Sequence, residues 1–131
     1  MGRVQLPVAT GKAAEFVDIT ALIERVVQEQ KISSGVVSLF LTHTTAALTT
    51  VAFNPNQDLD ILATIETILP GNHPKLQAHS KLPLHIVASF LGQHLSIPVE
   101  NGRLLLGNMQ RIILVELNGP RERSVVMDYR E

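Results

Sequence analysis

Residues 33–56, SSGVVSLFLTHTTAALTTVAFNPN, decide the fold of this 131-residue chain, because none of them is Lys, Arg, Asp or Glu. A run of this length would cross a bilayer if it formed one helix. However, it contains five threonines, and its apolar residues fall into two short runs, 36–41 and 46–53, separated by the polar residues 42–45, THTT. This pattern predicts two buried strands joined by a polar turn, and no membrane partner.

The segments on either side alternate between strand and helix patterns. Val4, Leu6 and Val8 alternate with polar neighbours, and Pro7 places that strand at a sheet edge. Residues 15–19 are predicted to form a second strand. Thr20 is then predicted to cap a helix whose apolar face combines four residues at helical spacing: Leu22, Ile23, Val26 and Val27.

The C-terminal half begins with a predicted helix over residues 54–69, which starts at NPNQ and stops at Pro70-Gly71. A short helix over residues 83–91 follows, and Asn101-Gly102 is typical of a hairpin turn. Residues 112–117 are predicted to form a strand that is buried on both faces. Short links between the β segments favour antiparallel pairing, and the whole chain, residues 1–131, is predicted to be one α+β domain.

Composition excludes several functional classes. The formal charge is −1, and no run of Lys or Arg forms a stripe, so nucleic-acid binding is not expected. The chain has no cysteine, which excludes disulfides, cysteine zinc sites and thiol catalysis. Residues 1–7 do not resemble a signal peptide, so a cytoplasmic location is expected.

Histidines are the first candidates for chemistry. His43 is surrounded by threonine hydroxyls, and it is either a metal ligand or general base, or a turn residue that bonds a hydroxyl. His73, His79 and His85 lie within thirteen residues but match no recognised zinc spacing. They would form a site only if the fold brought them to His43.

Acids and arginines supply the other candidates. Asp58 and Asp60 could orient a histidine or ligate a metal, although acids are also common in the first turns of a helix. Arginines placed by turns suit a phosphate, but they are also ordinary surface charges; the four are Arg103, Arg111, Arg121 and Arg123. Glu116 lies inside the apolar strand and requires a partner, for which the last three of these arginines are the candidates.

The residues that carry a family resemblance are spread over nearly the whole chain. They comprise residues 35–37 and 43–48, then Asp60 and Leu69-Pro70, His85 and Leu91-Gly92, residues 102–104, 107–110, Glu116 and residues 119–123. In this order they resemble the YjbQ-like proteins, also called the secondary thiamine-phosphate synthase family.

The resemblance implies a β-sandwich with helices on one side that assembles as a homotrimer, with a pocket near subunit interfaces. It implies a weak thiamine-phosphate synthase activity, in which an aminopyrimidine pyrophosphate is joined to a thiazole phosphate and pyrophosphate is released. By the same resemblance, His43, His79 and His85 would hold a divalent metal or polarise the substrate, and Asp60 would orient a histidine or carry a proton. The phosphorylated small molecule would be bound by Arg103, Arg121, Gln110 and Thr44.

Departures from the family pattern leave other functions open. Residues 50–53, TVAF, replace the family's Asn-Glu pair, and residues 107–110 read GNMQ where the family has GTWQ. A shortened loop allows either His73 or His79 to be the site histidine. The alternatives are a non-catalytic trimer that binds a metal or an anion, and a structural trimer whose arginines pair with Glu116.

Overall fold

The computed structural model describes residues 1–53, residue 64 and residues 83–131. Its strands are β1 (Gly2–Ala9), β2 (Glu15–Asp18), β3 (Ser34–Leu41), β4 (Ala46–Ala52), β5 (His94–Glu100), β6 (Arg103–Leu104), β7 (Gln110–Glu116) and β8 (Glu122–Arg130). Its helices in these ranges are α1 (Thr20–Glu29) and α2 (Leu84–Leu91). Except for Thr64, the helix predicted over residues 54–69 lies outside the described residues.

The strands form two antiparallel sheets. The large sheet has the order β1-β8-β3-β5-β6, and the small sheet has the order β2-β7-β4. β1 lies at an edge, as Pro7 predicted, and it pairs along its whole length with the last strand, β8. The predicted α+β fold with antiparallel sheets is therefore confirmed.

The charge-free stretch forms two strands, as predicted, but they belong to different sheets. β3 lies in the large sheet between β8 and β5, and β4 lies at the edge of the small sheet next to β7. Residues 42–45 therefore carry the chain from one sheet to the other. Within the described ranges, no helix is long and apolar enough to cross a membrane.

The main core is shared by the two sheets and α1. It combines side chains from β1, β3, β5 and β8 of the large sheet with those of β4 and β7 and with Ile23, Val26 and Val27 of α1. Along β7, Ile112 and Leu114 face this core, while Ile113 and Val115 pack with α2 in a second cluster. The prediction that this strand is buried on both faces is confirmed.

The start of α1 differs from the prediction. Thr20 is the first helical residue and Ile19 holds the N-cap position, so the predicted cap at Thr20 is wrong. The Thr20 hydroxyl is buried and accepts a hydrogen bond from the Ile112 N–H at 2.8 Å, while Asp18 Oδ1 accepts the Thr20 N–H at 3.0 Å. Its hydroxyl thus ties α1 to β7 and is not available to cap the helix.

The Asn-Gly hairpin between β5 and β6 is confirmed. Asn101 and Gly102 both have positive φ angles, 52° and 75°, which is the backbone that an Asn-Gly hairpin turn adopts. The Gly102 N–H also donates to the Ser33 carbonyl at 2.9 Å, just before β3 begins. This bond places Arg103 at the same end of the large sheet as the start of β3.

Candidate functional site

His43 is held by the main chain of β8. Regular pairing between β3 and β8 runs as far as Leu41 opposite Val125. Beyond it, the Ser124 N–H donates to Nε2 of the His43 ring at 2.9 Å. A backbone amide of the large sheet therefore fixes the orientation of this side chain.

This bond also fixes the protonation of the ring. A ring nitrogen that accepts a hydrogen bond carries no proton, so neutral His43 has its proton on Nδ1. Burial lowers the pKa of His43, as do the charges of Arg123 and Arg121, while Glu116 acts in the opposite direction. In this arrangement the neutral ring of His43 presents its Nδ1–H as a hydrogen-bond donor.

The cavity next to His43 gathers several predicted site residues. It has a volume of about 370 Å³ and is lined by Phe40, Leu41, Thr42, His43, Thr44, His85, Ser89 and Gln93. We call it the histidine pocket. His85 and Ser89 enter it from successive turns of α2, so the structure brings His43, Thr44 and His85 together.

A buried ion pair braces the turn that carries His43. Glu116 and Arg123 are 0% and 3% exposed, and Arg123 Nε donates to Glu116 Oε1 at 2.9 Å while Nη2 donates to Oε2. The same guanidinium donates to the carbonyl and the hydroxyl of Thr45 at 3.2 and 3.0 Å. Of the three arginines predicted as candidates, Arg123 is thus the partner of Glu116, and the pair anchors residue 45 of the turn.

The Glu116 carboxylate is fully hydrogen-bonded. The Thr10 hydroxyl donates to Oε1 at 2.6 Å, and the N–H groups of Leu117 and Asn118 donate to Oε2 at 3.0 and 3.1 Å. Burial alone would raise the pKa of Glu116, but hydrogen bonds from Arg123, Thr10 and Asn118 outweigh it and lower the pKa. Glu116 therefore stays ionised and has a structural role.

Arg121 lies close enough to act on the histidine pocket through its charge. Its Nε donates to the Asn118 carbonyl at 2.8 Å, and its N–H donates to the Thr10 hydroxyl at 2.9 Å. The exposed guanidinium is one of the charges that lower the pKa of His43. It therefore adds positive potential near the pocket.

Arg103 lies at the other end of the molecule. It pairs with Glu100, which in turn pairs with Ser34 at the start of β3, whereas His43 follows the end of β3. At about 3.3 Å per residue, the length of β3 separates these ends by roughly 25 Å. Within one chain, the structure does not bring Arg103 to His43.

A second cavity surrounds Arg103. It has a volume of about 340 Å³ and is lined by Thr20, Ala21, Glu24, Arg25, Gln28, Arg103 and Arg111. We call it the arginine pocket. Arg111 Nε donates to Asp18 Oδ2 at 2.8 Å, so this arginine is already neutralised.

Gln110 also lies away from His43. It pairs with Ala52 at the end of β4, while the start of β4 pairs with Glu116 near the histidine pocket. Its side chain accepts the Gly107 N–H at 2.9 Å and donates to the Thr50 hydroxyl at 3.1 Å. In this chain it braces a loop against β4.

The remaining predicted site residues, His73, His79, Asp58 and Asp60, lie outside the described residues. In ranges 1–53 and 83–131, together with Thr64, no three His, Asp or Glu side chains are placed to hold a metal ion. A metal-bound imidazole normally carries its proton on the other nitrogen. Since Nε2 of His43 accepts the Ser124 N–H, the His43 ring does not fit a metal site.

Two features of these sites were not found from the sequence. The Ser124 N–H is a backbone group, which leaves no signature in the residue type. Glu24 lines the arginine pocket, but the helical pattern of α1 shows only that it lies beside the apolar face. Finding the hydrogen bond to His43 or the position of Glu24 in the pocket would have required the tertiary structure.

Comparison with known proteins finds relatives that match this chain over most of their own length. The family model described as UPF0047 protein YjbQ-like matches residues 4–131. A UPF0047 protein of Archaeoglobus fulgidus is 34% identical over 95% of this chain and 98% of its own length. The UPF0047 protein YugU of Bacillus subtilis is 36% identical over 91% and 92%.

Solved structures of similar proteins have the same fold as this chain. A YbjQ-like protein of unknown function from Sulfolobus solfataricus superposes with a TM-score of 0.83 at 33% identity, covering 99% of this chain and 97% of its own. A hypothetical protein from Aeropyrum pernix gives a TM-score of 0.85 at 30% identity, covering 99% and 98%. The likeness extends over nearly the full length of each chain.

Proposed function

This chain belongs to the YjbQ-like UPF0047 family, and from that premise we propose that its histidine pocket binds a phosphorylated small molecule and displaces pyrophosphate from it. The observation that carries the proposal is that His43, Thr44 and His85 line one cavity while the charges of Arg123 and Arg121 act on the His43 ring. Hydrogen-bond donors next to fixed positive charge suit an oxyanion.

The proposed reaction is of the thiamine-phosphate synthase type. The bond between carbon and the pyrophosphate oxygen breaks, the electron pair leaves with pyrophosphate, and the second substrate forms the new bond at that carbon. The leaving group becomes more negative as the bond breaks, and His43 would donate its Nδ1 proton in a hydrogen bond to it. Thr44 and His85 would hold the same group, and Arg121 would lower its energy through charge.

The proposal uses Asp60 and His79 as a proton carrier and a third polar contact, in line with the family resemblance. It uses no metal, because a ligand role for His43 would leave the Ser124 N–H without an acceptor. It does not use Arg103 or Gln110, which lie at the other end of the sheets.

We also propose that two face-to-face sheets make each subunit a sandwich, and that three subunits associate beside the pocket. Phe40 and Phe90 are 50% and 73% exposed, and Phe40 lines the histidine pocket. Exposed aromatic side chains of this size are typical of a surface that a partner covers. Light scattering should give the mass of a trimer for the natural chain and of a monomer for Phe90→Asp.

The direct test is the formation of thiamine phosphate from its two phosphorylated precursors. His43→Ala should lower turnover by at least about 100-fold, because it removes a hydrogen-bond donor to the leaving group. Arg3→Gln, on the outer face of the large sheet, is the matched control and should keep full turnover. Full turnover in a folded His43→Ala protein would overturn the proposal.

A non-catalytic function is the second candidate, and one observation favours it. Residues 50–53, where the family has its Asn-Glu pair, belong to the end of β4 and the residue after it, and Val51 and Phe53 pack in the apolar cluster around α2. If the chain only binds an anion, pyrophosphate should bind stoichiometrically without turnover. His43→Ala should then abolish that binding.

A further inference from the structure

Among the described residues, the arginine pocket contains a carboxylate oxygen that has no hydrogen-bond partner and a guanidinium that has no ion-pair partner. Glu24 lines the pocket, and its Oε2 is buried with no hydrogen-bond partner in ranges 1–53 and 83–131. Arg103 forms no ion pair with a described carboxylate, whereas Arg111 is paired with Asp18. Unlike Arg111, these two side chains have unused hydrogen-bonding capacity within one cavity.

Neighbouring groups add positive potential on the side of Arg103. Arg25 also lines the pocket, and within the described ranges its ion pair is with the exposed Glu29 at 3.7 Å, one helical turn away. Thr20 and Ala21 belong to the first turn of α1, where the helix dipole is positive. An anionic group would therefore be attracted to this side of the cavity.

A buried carboxylate oxygen without a donor costs free energy until a donor reaches it. Glu24 and Arg103 are not ion-paired within the described part of the chain, so they do not satisfy each other. A ligand that carries both a negative group and an N–H donor would satisfy both at once. The cavity volume of about 340 Å³ lies in the range of small-molecule sites.

We propose that the arginine pocket is a second binding site, separate from the histidine pocket, for a small amino-substituted phosphate. Arg103 binds the phosphate oxygens with help from Arg25. Glu24 Oε2 accepts a hydrogen bond from the amino group. The site does not depend on the chemistry proposed for His43, because the length of β3 separates the two pockets.

The experiment compares two probes by calorimetry at low salt: phosphoethanolamine, and ethyl phosphate, which has the same phosphate but no amino group. The natural chain should bind phosphoethanolamine at least about fivefold more tightly, as expected for a charge-assisted hydrogen bond. Glu24→Gln should reduce this preference to near unity. Arg103→Gln should weaken binding of both probes by about tenfold or more.

Two controls separate this site from the histidine pocket. His43→Ala should leave both affinities unchanged even if it abolishes turnover, and Arg3→Gln should also leave them unchanged. Equal affinity for the two probes in the natural chain, or no binding of either at millimolar concentration, would overturn the proposal. Loss of phosphoethanolamine binding in a folded His43→Ala protein would assign the ligand to the histidine pocket instead.

Discussion

The two pockets differ in how their polar groups are held. In the histidine pocket, a backbone amide of β8 orients His43, and the Glu116–Arg123 pair that anchors the neighbouring turn is 0% and 3% exposed. In the arginine pocket, the main ion pair joins Arg111 and Asp18, whose side chains are 40% and 25% exposed. The comparison shows that buried contacts hold the polar groups of the histidine pocket, whereas the ion pair of the arginine pocket is partly exposed to solvent.

Removing the buried carboxylate of Glu116 should have the largest effect on stability. Glu116→Ala would leave the Arg123 guanidinium charged and buried without its partner, and we expect the free energy of unfolding to fall by about 3–5 kcal/mol. Urea unfolding measures this change. Asp128→Asn, which breaks the exposed pair with Arg3, should change stability much less. Similar losses in the two variants would remove the contrast between buried and exposed pairs.

A second test concerns the backbone close to Glu116. A Cβ added at Gly119 would overlap the carbonyl oxygen of Lys12 and would lie 2.8 Å from Glu116 Cγ. Gly119→Ala should therefore destabilise the chain by about 1–3 kcal/mol or more through overpacking. Gly11→Ala is the control, because a Cβ there meets nothing within 4 Å. Equal melting temperatures for the two variants would mean that this end of the molecule is loosely packed.

The pH dependence of stability should report on the partly buried His43 and the buried Glu116. The pKa of His43 is lowered in the folded chain, so the unfolded chain takes up a proton first as the pH falls below about 6.5, and the free energy of unfolding decreases. The lowered pKa of Glu116 contributes stability above its unfolded pKa, which is lost as the pH falls through the folded pKa. Unfolding at pH 7.5 and 5.5 should show a smaller decrease in His43→Gln than in the natural chain. An identical decrease would show that His43 is not held neutral.

The smallest effect on stability is expected at the arginine end. Asp18→Asn removes a partly exposed pair with Arg111 and should cost about 1 kcal/mol or less. The unpaired Arg111 should then strengthen binding of phosphoethanolamine by about threefold. Calorimetry on this variant and on the natural chain measures the change. Weaker binding would mean that Asp18 helps to shape the pocket.

Patterns along the chain were sufficient to predict most of the described fold. Alternation in β1 and β8, the two apolar runs of β3 and β4, and the Asn-Gly hairpin depend on residues close together in sequence. The cap at Thr20 was predicted wrongly, because the hydroxyl is used by Ile112, more than ninety residues away. A tertiary contact of that kind leaves no local pattern.

The site was harder to predict for the same reason. Residue type grouped His43 with Arg103, since both suit phosphate chemistry, but strand pairing places them at opposite ends of the large sheet. Glu116 was correctly expected to need a partner, and the choice of Arg123 among three arginines required the fold. The roles of Asp60 and His79, which lie outside the described residues, stay predictions.

The tautomer of His43 tests the account most directly. In protein labelled with ¹⁵N at histidine, a two-bond ¹H–¹⁵N correlation spectrum at pH 7 distinguishes the protonated ring nitrogen from the unprotonated one. We expect the proton on Nδ1, with Nε2 unprotonated and coupled to the Ser124 amide through the hydrogen bond. A proton on Nε2, or on both nitrogens at that pH, would contradict the role of His43 as a neutral donor.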